Sequence, residues 1–425
     1  MKENKIKKNN RKTGFQGPDP RFANKGFSTK SVHAGENWET PDYLSPVAPI
    51  FSSTSFYYEN FQSLIDMIDG QKGGYGYSRW SSPTTATLER AISSLEESGG
   101  TIACSSGMAS IHLALISSGI KNGSNVLCST DVYGSSIDLL KIFFSRFGVN
   151  PIFCDFTDLE TVEENLKKYN PQVILFEVLT NPIIKVVDAP SVINLAHKYN
   201  AKVIVDNTFT TPFLFKPFLH GADFVCNSIS KYLAGHGDVL AGAVSSSEEN
   251  TREVQVTMAH IGSGLHGFVS WLALRGLKTF SIRMEKHCSN ALELANFLEQ
   301  HSLVENVSYP GLTSHKQHDL ASQLLLNGHF GGMVSFDIRG GNRKDAFNFL
   351  DNLEFLIPTG SLGDVHSLII HPASTTHHTL SGEELSKIGI SESTLRISVG
   401  IEDIEDIKEE INQALLKVKN LKGSN

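Results

Sequence analysis

Ala222-Asp223-Phe224-Val225-Cys226-Asn227-Ser228-Ile229-Ser230-Lys231 decides the reading of this chain: an apolar run of the buried-strand kind delivers small polar residues and then a lysine. An open α/β sheet binds its ligand outside the carboxyl ends of its strands, so these polar residues fall where such a sheet keeps its site. A lysine there can form a Schiff base with a carbonyl and later carry a proton, while Ser228 and Ser230 can donate hydrogen bonds to a phosphate. That combination suits a phosphorylated aldehyde. Taken alone, the segment also reads as a strand ending in a solvated lysine, the commoner case.

Working upstream, Val203-Ile204-Val205-Asp206-Asn207-Thr208 runs three apolar residues straight into a carboxylate. An acid beside the ring nitrogen of pyridoxal phosphate keeps that nitrogen protonated, and the ring then accepts the electrons of a substrate carbanion. The same Asp-Asn-Thr also serves as a turn or helix cap. Further upstream, Cys104-Ser105-Ser106-Gly107-Met108 precedes a helical pattern in Met108, Ile111 and Leu115, with Gly119 as its stop. Free N–H groups at such a helix start face an anion favourably, although an ordinary N-cap has the same sequence. The order of a phosphate loop, a strand-end Asp and a strand-end Lys is the one in which this cofactor is commonly held.

The wider composition fits an enzyme of this kind. At 425 residues with 40% apolar content the chain can bury a large core. A net charge of −8 gives no hint of nucleic acid. Cys104, Cys128, Cys154, Cys226 and Cys288 lack paired spacing and read as reduced core thiols. No apolar run is long enough for a membrane span and the start lacks a secretory h-region, which leads to the expectation of a soluble cytoplasmic protein. Residues 1–27 open with a Lys- and Asn-rich stretch and the breaker Gly17-Pro18-Asp19-Pro20, and read as a disordered basic tail. Short apolar strands at Val126-Leu127-Cys128, Pro151-Ile152-Phe153 and Val173-Ile174-Leu175-Phe176 alternate with helices, which predicts a mostly parallel sheet covered on both faces. Helices are expected over 282–301 and 404–419. The histidines, including His33, His236 and His377, show no metal-ligand spacing.

From about Ser28 to its end the chain resembles the trans-sulfuration, or Cys/Met metabolism, family of pyridoxal-phosphate enzymes. The resemblance is carried by Lys30-Ser31-Val32-His33-Ala34-Gly35, Tyr77-Ser78-Arg79, Ser106-Gly107-Met108-Ala109, Asp131-Val132-Tyr133-Gly134, Val205-Asp206-Asn207-Thr208 and Ser230-Lys231-Tyr232-Leu233-Ala234-Gly235-His236. It continues through Trp271-Leu272-Ala273-Leu274-Arg275-Gly276-Leu277-Lys278-Thr279, His371-Pro372-Ala373-Ser374 and Arg396-Ile397-Ser398-Val399-Gly400. It implies an α/β chain of fold type I, with an arm over 28–80 that reaches a partner subunit. A cofactor domain over 81–280 and a smaller α/β C-terminal domain over 281–425 follow.

The resemblance also implies roles, residue by residue. Lys231 would hold the cofactor covalently, Asp206 would pair with its ring nitrogen, and Tyr133 would stack on the ring and assist proton transfer. Ser106, Gly107, Met108, Ser228 and Ser230 would bind the phosphate, completed by Tyr77 and Arg79 of a neighbouring subunit in a dimer of dimers. Arg396 would grip the substrate carboxylate bidentately, with Asn181 and Ser361 beside it. Each has a plainer reading as a packing aromatic, a solvated strand residue or a turn residue.

The family either replaces a substituent at Cγ of an amino acid with a thiol or sulfide, or eliminates it to give 2-oxobutyrate and ammonia. Three departures bear on that choice by family comparison. Ser135 and Ser136 follow Tyr133-Gly134 where methionine-degrading members carry a Cys. His366 stands after Ser361-Leu362-Gly363 where cystathionine-handling members often have a Glu. His371-Pro372-Ala373-Ser374-Thr375-Thr376-His377 is closer to O-acetylhomoserine sulfhydrylases than to lyases. The expectation is γ-replacement on an O-acylhomoserine. A γ-lyase, a cystathionine β-lyase and a cofactor-binding protein without turnover remain alternatives. A fourth departure, Ser81-Ser82-Pro83-Thr84 in place of Gly-Asn-Pro-Thr, touches the turn that presents Arg79.

Overall fold

The computed structural model describes residues 17–36, 45–378 and 381–423. Seven strands form the large sheet: β1 (Gly100–Cys104), β2 (Asn125–Ser129), β3 (Asn150–Cys154), β4 (Val173–Glu177), β5 (Lys202–Asp206), β6 (Phe224–Ser228) and β7 (Gly242–Ser246). Their spatial order is β1-β7-β6-β5-β4-β2-β3, and only β7 runs against the rest. The carboxyl ends of six strands therefore share one rim.

Both faces of this sheet are covered, which is why its strands are apolar throughout rather than alternating. Val203, Val205 and Val225 face a core shared with Leu88, Ile92 and Leu95 of helix Pro83–Glu96 and with Val192 and Ile193 of helix Ala189–Lys198. Ile204, Phe224 and Cys226 face the other core, closed by Ile111 and Leu115 of helix Gly107–Ser117 and by Val254 and Met258 of helix Glu248–Ile261. The strand that opened the reading ends later than its apolar run. Asn227 and Ser228 belong to β6 because their backbones pair with Ala243 and Gly242 of β7.

Five further strands form a second sheet: β8 (Val304–Ser308), β9 (Met333–Ile338), β10 (Ile357–Pro358), β11 (Leu368–Ile370) and β12 (Thr394–Ser398), in the order β10-β11-β12-β9-β8. Helix Phe280–Gln300 joins the two sheets. Its Phe280, Met284 and Cys288 pack in the core of the first, and its Ala291, Leu294 and Leu298 in that of the second. This helix starts at the division expected at 280/281 and runs from one core into the other. Helix Ile404–Gly423 covers the second sheet through Ile407, Ile411 and Leu415.

Residues 1–16 of the expected tail lie outside the described residues. The rest of that tail is tied down at Asp19, while residues 20–26 stay largely exposed. Asp19 is buried, its N–H donates to Ser94 Oγ at 2.9 Å, and its carboxylate accepts the N–H groups of Arg21 and Gly35. The Asp between two prolines therefore acts as an anchor, the property that the breaker reading overlooked. Helix Phe27–His33 leads into the 28–80 segment, which contains helix Phe61–Ile68.

Candidate active site

The rim of the large sheet opens onto a cavity of about 210 Å³ lined by ten of the nominated residues: Ser106, Gly107, Met108, Tyr133, Asn181, Asp206, Ser228, Ser230, Lys231 and Arg396. Ser361 meets it through Lys231, whose Nζ donates to Ser361 Oγ at 2.8 Å. Tyr77 and Arg79 stand apart from it. The Arg79 guanidinium lies 5.6 Å over the Tyr77 ring and donates to the Ala259 carbonyl.

Each side chain at the rim arrives there for a local reason. Ser106 caps helix Gly107–Ser117 by accepting the Ala109 N–H at 3.1 Å. That leaves the Gly107 and Met108 N–H groups among the first-turn donors without an intrahelical acceptor. Gly107 is required by crowding, because a Cβ there would come within 2.8 Å of Ser228 Cβ. Asp206 ends β5, and its Oδ1 accepts both the Thr208 N–H at 3.0 Å and the Thr208 hydroxyl at 2.6 Å. Thr208 Oγ1 in turn accepts the Ser228 N–H at 2.9 Å, so one hydroxyl links the tips of β5 and β6. Ser230 is engaged with Ala241 on both sides, accepting its N–H at 2.9 Å and donating to its carbonyl at 3.2 Å.

Across the cavity, Arg396 comes from the middle of β12. Residues 394, 396 and 398 of that strand share one face, while Leu395 and Ile397 enter the core of the second sheet. Arg396 Nη1 donates to Asn181 Oδ1 at 2.7 Å and Nη2 to the Ser361 carbonyl at 3.1 Å. The Gly363 N–H donates to Ser398 Oγ at 2.8 Å, which fixes the 361–363 loop against the same strand. Arg396 Nε is buried and has no acceptor.

The electrostatics follow from burial and from these neighbours. Burial first, and the Arg396 charge second, hold the Lys231 amine below the usual lysine range. Burial pushes Arg396 down to about 10. Burial also raises Asp206, against the two hydrogen bonds from Thr208.

Glu177 was missed from the sequence. It ends β4, pairs in register with Asp206, lines the cavity and accepts the Tyr133 N–H at 2.6 Å. Its carboxyl is raised well above the usual range, by burial and then by the Asp206 charge. The signal was present: Val173-Ile174-Leu175-Phe176-Glu177 is another apolar run into a carboxylate. Thr376 is the residue of the His371 to His377 segment that lines the cavity. His371 is bonded instead to Ser374 and to the Glu392 carbonyl, and His366 to Asp364.

A partly buried amine of lowered pKa, a carboxylate on the floor, unclaimed helix-start N–H groups and a facing aromatic form a donor set that fits pyridoxal 5'-phosphate. The family model described as Cys/Met metabolism PLP-dependent enzyme matches residues 28–416. This chain belongs to that family. An L-methionine gamma-lyase of Fusobacterium nucleatum subsp. polymorphum is 37% identical over 396 residues, covering 92% of this chain and 98% of the relative. An O-succinylhomoserine sulfhydrylase of Pseudomonas aeruginosa is also 37% identical, over 389 residues, covering 92% and 95%. A solved structure described as a putative O-acetylhomoserine (thiol)-lyase of Campylobacter jejuni, with pyridoxyl-lysine-5'-monophosphate, superposes with a TM-score of 0.86 at 31% identity over 92% of this chain and 99% of that one.

The expected fold type I architecture is therefore borne out, as are the family and the cofactor. As a member of this Cys/Met metabolism family, the protein is a PLP-dependent enzyme of sulfur amino-acid metabolism, in a family that holds both transferases and lyases. Among the described residues no helix is long and apolar enough to cross a membrane.

Proposed function

We propose that the protein catalyses γ-replacement: an O-acylhomoserine and a thiol or sulfide become a thioether or homocysteine and a free carboxylic acid. The observation that carries an α-amino-acid substrate is Arg396, 2% exposed, with Nε an orphan donor and Nη2 on the same Ser361 that takes the Lys231 amine. A buried donor without an acceptor costs about 1–3 kcal/mol, and a substrate carboxylate would recover it. Ser361 spans the two groups, its hydroxyl on Lys231 and its carbonyl on Arg396, so amine and carboxylate of one α carbon are read by one loop.

Bound pyridoxal phosphate supplies the sink for negative charge at the α carbon. This chain's residues do the rest. Gly107, Met108, Ser228 and Ser230 would hold the phosphate, Asp206 would hold the ring nitrogen, and Tyr133 would cover the ring. Lys231, with its amine kept below the usual lysine range, removes the α proton and carries it. The acyloxy group leaves Cγ as a carboxylate, and the incoming sulfur takes its place at that carbon.

Two features support replacement over elimination. Ser135 and Ser136 follow the ring-covering tyrosine, and among the described residues no cysteine lines the cavity. Thr376, from the sulfhydrylase-like segment, contributes to its wall. A second reading, γ-elimination, is favoured by the similarity to methionine gamma-lyases. We further infer a cytoplasmic homotetramer of two dimers in which Tyr77 and Arg79 complete the phosphate site of a second copy. The apolar arm residues Tyr57 and Phe61, 96% and 75% exposed in the single chain, support that assembly.

The test is to mix the enzyme with O-acetyl- or O-succinyl-homoserine, with and without sulfide or cysteine, and identify products by mass spectrometry. Homocysteine or cystathionine is expected. Only 2-oxobutyrate, or no reaction while cystathionine or methionine is cleaved, overturns replacement.

A further inference from the structure

Asp206 and Ser228 project from one face of the large sheet, and the residues next to them project from the other. On that opposite face Asn227 Nδ2 donates to Glu96 Oε1 at 2.6 Å, and Asn207 Nδ2 donates to the same oxygen at 3.2 Å. All three side chains are buried, Glu96 and Asn207 completely. Glu96 is the last residue of helix Pro83–Glu96, so a rigid element from behind the sheet reaches both strand tips with one carboxyl oxygen.

The position of this contact gives it meaning. The β5–β6 ladder ends at the pair Asp206 and Cys226, followed by one more bond from the Asn207 N–H to the Cys226 carbonyl at 2.8 Å. Beyond that point only the Thr208 hydroxyl still joins the two chains, accepting the Ser228 N–H at 2.9 Å, before the second enters the turn that carries Ser230 and Lys231. Glu96 bridges them where the ladder stops. The helix end that presents it is itself anchored: Glu97, in the left-handed region at φ 54°, pairs with Lys30 at 3.0 Å and with Lys216 at 2.6 Å.

Packing alone would not select this residue. A buried carboxyl is costly to desolvate, and burial raises that of Glu96 to about 7 against the amides of Asn227 and Asn207. A leucine would fill the space, take from the Asn227 amide its acceptor, and leave Asn207 only its bond to the Phe215 carbonyl at 3.0 Å. We propose that Glu96 is a positioning residue that sets the spacing between Asp206 and the 228–231 turn from the far side of the sheet, and thereby the affinity for pyridoxal phosphate. This rests on reading Asp206, Ser228 and Lys231 as the cofactor's contacts.

The experiment is titration of the apoenzyme with pyridoxal phosphate, followed by visible absorbance, for Glu96→Leu, Glu96→Gln and Asp206→Asn beside the parent. Glu96→Leu is expected to raise the dissociation constant about tenfold or more, the size of an unpaired buried donor, and Glu96→Gln, which keeps an acceptor for both amides, less than about threefold. A role in packing alone lowers the melting temperature of the apoenzyme and leaves the dissociation constant within about twofold of the parent. That result, with Asp206→Asn weakened, overturns the positioning role and leaves the site reading standing. Unchanged affinity in Asp206→Asn as well overturns the site reading itself. Should Glu96→Leu fail to fold, Asn227→Ala removes one of the two donors and is judged by the same criteria.

Discussion

The two sides of the cavity are built on different principles. The large sheet supplies Asp206, Glu177, Ser228 and Lys231 at or just beyond strand ends, where a parallel sheet places successive strands' last residues side by side. The second sheet supplies Arg396 from the middle of a buried strand, where only the alternation of side chains turns it away from the core. Topology makes the first side, with residues near one another in sequence as well as in space. Docking of one sheet against the other makes the second, where Arg396 meets Asn181 across 215 positions and Ser361 across 35.

If that division holds, losses on the two sides differ in kind. The largest is expected for Lys231→Ala, which removes the proton carrier and the covalent anchor together. Turnover should fall by about 10³-fold or more, and the visible band of the protein-bound cofactor should shift to that of the unlinked aldehyde. An unchanged spectrum would remove Lys231 from the role given to it.

On the other side, Arg396→Gln should act mainly on substrate, reaching the cofactor only through the Lys231 amine. Losing hydrogen bonds from a charged donor costs about 1.5–3 kcal/mol, so kcat/KM should fall by roughly 10- to 150-fold while cofactor affinity stays near that of the parent. The pH dependence has a definite sign. The Arg396 charge is the second cause, after burial, that lowers the Lys231 amine, so its removal raises the Lys231 pKa without restoring the ordinary value. The rate of cofactor uptake by the apoenzyme, measured against pH, should shift to the alkaline side. A shift to the acid side would contradict the geometry.

The same contrast explains what was legible beforehand. Lys231, Asp206 and the Ser106-Gly107-Met108 turn each follow an apolar run or open a helix, so pattern alone nominated them. Glu177 carried the same signal and was passed over because its strand was read only as far as Phe176. Arg396 lies in Thr394-Leu395-Arg396-Ile397-Ser398, whose alternation marks a half-buried strand but says nothing about what its polar face meets. Its role, and those of Asn181 and Ser361, came from family resemblance. Contacts between residues more than a hundred positions apart leave no local trace. The buried Asp19 shows the converse, since a local breaker signal says nothing about the partners that its carboxylate and N–H find in Gly35 and Ser94.

The smallest effect sharpens the comparison most, because Ser361 belongs to both sides. Its hydroxyl accepts from Lys231 and its carbonyl from Arg396, and substitution by alanine removes the first contact while the backbone contact stays. One hydrogen bond to a charged donor at a partly exposed site contributes about 1 kcal/mol, so kcat should drop about fivefold with KM nearly constant. The hydroxyl stabilises the protonated amine, so its loss should lower the Lys231 pKa further, opposite in sign to Arg396→Gln. Opposite shifts of the uptake profile in the two variants would show that the loop tunes the lysine and the strand binds the substrate. Shifts in the same direction would mean that Ser361→Ala disturbs Arg396 through the loop backbone, and the two sides would then be one mechanical unit.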